Sequence, residues 1–156
     1  MRKRRVRAPP ALRAIVTNKT TLTIDSAATP ADTAAVTRGL LLFNEAMLGP
    51  ANEQPVTLVV RDPEGEVVGG LLGTTRWKWL YVAKLWVAES QRGSGLGSRL
   101  MQRAEQIARD RGCLAAALDT FEFQARPFYE RMGYTLYGTL EGYPPGYRQY
   151  YLSRIL

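Results

Sequence analysis

Apolar residues recur with helical spacing early in the chain. Val36, Leu40, Phe43 and Met47 fall at i, i+4, i+7 and i+11, which predicts an amphipathic helix. Its flanks supply the bounds, with Thr29 as N-cap, Pro30 at the first helical position and Gly49-Pro50 as the stop. Before it, Leu22-Thr23-Ile24-Asp25 alternates as a short strand. After it, Pro55 to Arg61 and Glu66 to Thr75 read as strands joined by the tight turn Asp62-Pro63-Glu64-Gly65. A third strand runs from about Trp79 to Val87, with Trp86 expected to fill the core. A second helix has an apolar face of Leu96, Leu100, Met101, Ala104, Ile107 and Ala108 opposite Arg99, Gln102, Arg103 and Arg109, and Gly112 suits its C′ position. Leu114 to Leu118 is an unbroken apolar run, as in a strand buried on both faces. A short helix around Gln124 to Met132, a strand from Tyr134, a Gly/Pro loop at Gly142 to Gly146 and a last strand ending near Arg154 complete the order β, α, β, β, β, α, β, α, β, β. No repeat or linker interrupts it, so a single domain is expected over residues 16–156.

The length of 156 residues with 46% hydrophobic content suits one domain with its own core. No apolar run approaches the roughly 18 residues of a membrane span, and the basic N-terminus has no apolar stretch of a signal peptide behind it, so a soluble, cytoplasmic protein without a membrane partner is expected. The net charge of +7 suggests nucleic acid, but Arg2, Lys3, Arg4, Arg5 and Arg7 account for five of those charges. They belong to a basic tail, residues 1–15, expected to be disordered, and nucleic acid is not expected as a partner. The lone cysteine, Cys113, lies in an apolar stretch and reads as a small buried hydrophobe. With no histidine, Ser-His-Asp and Cys-His catalysis are excluded, and no metal site is expected.

The third strand runs into Glu89-Ser90-Gln91-Arg92-Gly93-Ser94-Gly95-Leu96-Gly97, a polar turn opening onto a glycine-rich helix start. Glycine permits close approach to the main chain, and a helix start offers unpaired N–H groups and a positive dipole end, so this turn suits a phosphate. It is no P-loop, because Gly97 is followed by Ser98-Arg99 rather than Lys and Ser/Thr. A dinucleotide fingerprint from Gly93 would need Gly or Ala where Ser98 stands. The spacing Arg92-x-x-Gly95-x-Gly97 resembles instead the pyrophosphate loop of the GNAT acyltransferases, which use acyl-CoA. A second segment, Ala125-Arg126-Pro127-Phe128-Tyr129-Glu130-Arg131-Met132-Gly133-Tyr134, is similar to that family's Ala-x-x-Phe-Tyr-Glu-x-x-Gly-Phe/Tyr helix and follows at the family's interval. The resemblance is carried by about residues 80 to 140.

The fold it implies is α+β (α/β), a mixed, mostly antiparallel sheet of about six to seven strands flanked by helices. Its strands Trp79 to Val87 and Leu114 to Leu118 would be parallel neighbours that splay at the cofactor site. The implied activity is transfer of acetyl from acetyl-CoA, a co-substrate, to a primary amine by direct attack in a ternary complex. The main chains of Leu85 and Val87 would pair with pantetheine, alongside Trp86. The turn of Arg92, Gly93, Ser94, Gly95, Leu96, Gly97 and Ser98 would take the pyrophosphate, and Phe128 would border the cofactor. Tyr129 would protonate the leaving thiolate, and the N–H of Val87 would meet the oxyanion. An alkylammonium has a pKa of ~10, so its proton must be removed at neutral pH. Among the carboxylates Glu45, Glu89, Asp119 and Glu122, Glu89 and Glu45 are the first choices. Glu122 stands where the family commonly has Asn. Trp77, Trp79, Tyr81 and the loop Tyr143-Pro144-Pro145-Gly146-Tyr147 would wall an acceptor pocket. The stiffness of that loop favours a small-molecule amine. The alternatives are a protein or peptide amine as acceptor, and a CoA-binding regulatory module without catalysis. A homodimer is compatible with the resemblance.

Overall fold

The computed structural model describes residues 15–17 and 20–156. The expected basic tail lies outside the described residues, apart from Ile15. Two compact units divide the chain between Met47 and Leu48.

In the first unit, β1 (Ile15–Thr17) pairs antiparallel with β2 (Thr20–Leu22). The strand expected at Leu22 to Asp25 therefore ends where it was to begin. Beyond it Asp25 Oδ1 accepts the Ala27 N–H at 2.8 Å, an Asx turn before the helix. Helix α1 (Pro30–Leu48) starts as its cap predicts: Thr29 Oγ1 accepts from the Asp32 N–H at 3.3 Å, while Asp32 Oδ2 accepts from the Thr29 N–H at 2.8 Å. This is a reciprocal capping box, and the Thr29 hydroxyl, donating to Asp32 Oδ2 at 2.6 Å, together with the Thr29 N–H holds the Asp32 carboxyl below its ordinary pKa.

The second unit is a six-stranded sheet in the order β3-β4-β5-β6-β8-β7. Its strands are β3 (Gln54–Arg61), β4 (Val67–Arg76), β5 (Trp79–Val87), β6 (Ala115–Phe121), β7 (Thr135–Glu141) and β8 (Arg148–Ile155). Every neighbouring pair is antiparallel except β5 with β6. The β3–β4 hairpin closes at the turn the sequence marks, with the Gly65 N–H donating to Asp62 O at 3.0 Å. The apolar run expected from Leu114 starts as strand one residue later, and Leu114 itself is exposed. β6 is buried on both faces at Ala115 and Ala116 and on alternate residues from there on, with Asp119 and Phe121 turned to the side opposite Leu118 and Thr120.

Helix α2 (Leu96–Asp110) packs over β3, β4 and β5, burying Leu96, Leu100, Met101, Ala104 and Ala108. It ends at Gly112 (φ +74°), as predicted. Below it lie Val56, Leu71, Leu80, Val82, Leu118 and Leu152, and Cys113 is buried at the margin, where desolvation raises its thiol pKa. The short α3 (Arg126–Arg131) adds Tyr129 to this core.

Trp86 is not in the core; it is half exposed. Register explains why. Gly73 pairs with Val82 but Leu72 with Lys84, so Ala83 is an extra residue, a β-bulge in β5. Leu80 and Val82 point inward before it, and Leu85 and Val87 pack against the core after it. One added residue switches the face of every later side chain, which sends Trp86 outward.

Glu105 is only 2% exposed, on the apolar side of α2. Its carboxylate accepts from the Tyr134 hydroxyl at 3.1 Å and from Arg154 Nη1 at 3.3 Å, and Arg109 lies 3.5 Å away. Burial and this neighbour raise the Tyr134 phenol far above its ordinary pKa, so it remains a donor. Replacing Glu105 by Leu leaves the Tyr134 hydroxyl without its acceptor and Arg154 with Met132 O at 2.6 Å in place of a carboxylate, and should cost about 2–4 kcal/mol in urea unfolding. Glu105→Gln keeps an acceptor and should cost less.

Candidate active site

β5 and β6 pair only from Trp79–Ala115 to Val82–Leu118. The ladder stops beside the Ala83 bulge, and both strands continue, β5 to Val87 and β6 to Phe121. The direction of the unpaired groups follows from one bond. The Ala88 N–H donates to Val68 O at 2.9 Å, toward β4. Alternation then turns the N–H and C=O groups of Leu85 and Val87 away from β4, into the opening toward β6. Amide groups inside a sheet need partners. Arg92 supplies a weak one, its Nε donating to Val87 O at 3.4 Å.

The glycine turn lies at the end of this opening. A 3-10 turn at Glu89–Gln91 leads into Gly93 (φ +75°) and Gly95 (φ +80°), and Gly95 is the N-cap of α2. Both glycines sit in the left-handed region, and a Cβ at either would meet open space. The first helical bond at the turn is Arg99 N–H to Gly95 O at 3.1 Å, so the N–H groups of Leu96, Gly97 and Ser98 precede the intrahelical ladder. Ser94 Oγ donates to Gln91 O at 2.7 Å and steadies the turn, while buried Leu96 anchors it to the core.

The second motif comes directly against the first. A Cβ at Gly97 would lie 3.4 Å from Phe128 Cζ and 3.9 Å from Val87 Cγ2, so the absence of a side chain lets Phe128 cover the start of α2. Phe128 meets Tyr129 edge-on at 5.0 Å, and Tyr129 meets Tyr134 at 6.2 Å. Tyr129 is 8% exposed, and desolvation, aided by the charge of Asp119, raises its phenol pKa. Between α2 and α3 runs a groove of about 560 Å³ lined by Ser98, Gln102, Phe128 and Arg131 among others.

Leu85, Val87, Arg92, Gly93, Ser94, Gly95, Leu96, Gly97, Ser98, Phe128 and Tyr129 thus share one end of the sheet. Glu89 is exposed in the 3-10 turn beside them. Glu45 belongs to α1, in the other unit. Trp86 lies on the outer face of β5, and its side chain is directed away from the core side that Leu85 and Val87 occupy. Trp77 does not join the acceptor aromatics. It forms the β4–β5 turn with Lys78 at the opposite end of β5, its Nε1 bound to Gly49 O at 3.1 Å, beside a separate cavity of about 400 Å³. Glu122, in the place of the family's Asn, accepts from Arg148 Nη1 at 3.1 Å. The loop residues Tyr143 and Tyr147 pack on Phe121 and Phe123, at ring distances of 5.9 and 5.0 Å. Those phenylalanines follow the apolar run from Leu114 to Leu118, and no local pattern marks them.

A turn of free amides, an opened parallel pair and a buried tyrosine beside them define an acyltransferase architecture. The model of the Acetyltransferase (GNAT) family matches residues 25–134, and the chain belongs to that family. A blasticidin-S acetyltransferase from Streptomyces morookaense is 47% identical over 93 residues, 59% of this chain and 68% of that protein. The crystal structure of an acetyltransferase from Bacillus cereus superposes with a TM-score of 0.78 at 34% identity, covering 85% of this chain and 97% of the other. A structure described as a streptothricin acetyltransferase from Bacillus anthracis, in complex with acetyl coenzyme A, shares the fold at a TM-score of 0.59 and 18% identity, over 93% of this chain and 84% of that one.

The contact between the two motifs is itself testable. Gly97→Val forces a branched side chain into the Phe128 ring and should lower stability by about 1–3 kcal/mol, read as a fall in thermal midpoint.

Proposed function

We propose that this acetyltransferase moves an acetyl group from acetyl-CoA to a primary amine of a small molecule. The observation that carries the reading is the coincidence of the Leu85 and Val87 amides, which are turned into the opening between β5 and β6, with the free N–H groups at the start of α2. A pantetheine arm has amides for the first set, and a pyrophosphate has the charge for the second. Acetyl-CoA supplies the thioester as the acetyl source.

The residues of this end of the sheet divide the tasks of the reaction. Leu85 and Val87 hold the arm through their main chains, and the turn from Arg92 to Ser98 holds the phosphates. Phe128 closes the turn from above. The Val87 N–H donates to the oxyanion that develops on the thioester carbonyl. Tyr129 returns a proton to the departing thiolate. A phenol raised above pKa ~10 remains protonated at neutral pH, so its proton is present when needed, and transfer to a thiolate of pKa ~8.5 depends on close placement. Glu89 is proposed to carry away the amine's proton through water. The small-molecule acceptor draws support from the stiff Pro144-Pro145 loop packed on Phe121 and Phe123, and from a relative whose name identifies an antibiotic substrate.

A panel of small amines with acetyl-CoA, read by free thiol and product mass, tests the reaction. Acetylation of protein lysines in preference to every small amine would overturn the acceptor class. Tyr129→Phe should lower kcat by ~10²-fold with KM for acetyl-CoA nearly unchanged. An unaltered kcat, with chemistry shown to limit turnover, removes Tyr129 from the mechanism. Gly95→Val places a branched Cβ in the cradle at φ +80° and should abolish CoA binding by calorimetry; retained affinity means that the phosphates bind elsewhere.

A further inference from the structure

Asp119 is the first residue of β6 beyond its last partner on β5, so it stands at the mouth of the opening. It faces away from α2, because its neighbours Leu118 and Thr120 are the buried ones. Its carboxylate is held at both oxygens. The Tyr81 hydroxyl donates to Oδ1 at 2.5 Å, and Gln149 Nε2 donates to Oδ2 at 2.6 Å. The Tyr151 hydroxyl in turn donates to Gln149 Oε1 at 2.9 Å, which sets the direction of the amide.

Both donors are neutral. Among the described residues no ion pair within 4.0 Å involves Asp119, although Lys84 shares this face of the sheet. A carboxylate has about four lone-pair sites, and two donors leave capacity for another. The surroundings are aromatic: Tyr151 is the cross-strand partner of Asp119, Phe121 is two residues along the same face, and Tyr81 lies diagonally across on β5. The bond to Asp119 pushes the Tyr81 phenol up to about 12, so Tyr81 stays a donor and adds no charge of its own. The charge of Asp119 also reaches Tyr129, within the catalytic end of the sheet. A fixed carboxylate among ring faces is the arrangement that recognises an organic ammonium.

We propose that Asp119 is the anchor of the acceptor site, binding the ammonium group of a cationic amine against Tyr81, Phe121 and Tyr151. The proposal rests on the transfer reading above and gives its acceptor a charge. Tyr81 and Gln149 are positioning residues, each of which holds one carboxylate oxygen.

The test uses the full chain with two acceptors, an aliphatic primary amine and an arylamine that is neutral at assay pH. Asp119→Asn should raise KM for the aliphatic amine, and its Kd for the protein–CoA complex by calorimetry, about 30-fold, the scale of one charge-assisted hydrogen bond. For the neutral arylamine the change should stay within about 3-fold, and CoA affinity should hold. Asp119→Glu, which restores the charge, should recover part of the loss. If Asp119→Asn does not fold, Gln149→Leu frees one oxygen and should raise KM for the aliphatic amine alone. Equal losses for both acceptors, or none, overturn the anchor and leave the transfer reading intact. Ammonium binding that needs Asp119 in a protein that acetylates no amine overturns the transfer reading and leaves the anchor.

Discussion

The structure turns on one interrupted ladder. β5 and β6 are hydrogen-bonded for four residue pairs and then separate, at the position where β5 carries an extra residue. A bulge bends its strand and increases the local twist, so β5 is led away from its parallel neighbour while it stays paired to β4. The separation leaves main-chain amides facing a gap inside the sheet, where unpaired groups are costly. Such a gap survives only if the rest of the sheet holds both strands firmly. Here β4 secures one side of β5 along its length, β8 secures β6, and α2 covers the inner face.

The bulge also divides the two faces of the sheet. By changing the phase of β5 it keeps Leu80, Val82, Leu85 and Val87 all toward the core, a set that uninterrupted alternation would split between the faces. The inner face is therefore continuous from the start of β5 to the glycine turn, and α2 lies along it. Buried Glu105 ties α2 to Tyr134 and Arg154, at the end of the α3 segment that carries Tyr129. The outer face receives Tyr81 and Trp86 from β5 and Asp119 and Phe121 from β6. Its polar groups are bonded to one another, and its aromatic rings remain partly exposed. The amide-lined gap lies between a packed face and an open one.

Much of this was legible in local pattern. The capping residue Thr29, the Asp62–Gly65 turn, the apolar stripe of α2 and the glycines around it act within a few residues of themselves, and the elements lie where those signals put them. The two motifs were legible as well, since each needs particular residue types at short spacing. Trp86 and Phe121 were misplaced or missed because their facing depends on register. In β5 the signal was present, since the inward positions change from even to odd between Val82 and Leu85. A hydrophobic tryptophan at the change conceals it.

The sequence by itself determined the order of elements, the phosphate-type turn and the family, because helix caps, tight turns and glycine positions are set by neighbours along the chain. It could not determine which carboxylate faces the opening. Glu45, Glu89, Asp119 and Glu122 are equivalent as letters, and only the tertiary structure gives Asp119 a hydroxyl from β5 and an amide from β8 while pairing Glu122 with Arg148. Those partners lie 30 and 38 positions away from Asp119 in the chain. A contact of that range exists only once the strands are in register, and register is a property of the whole sheet.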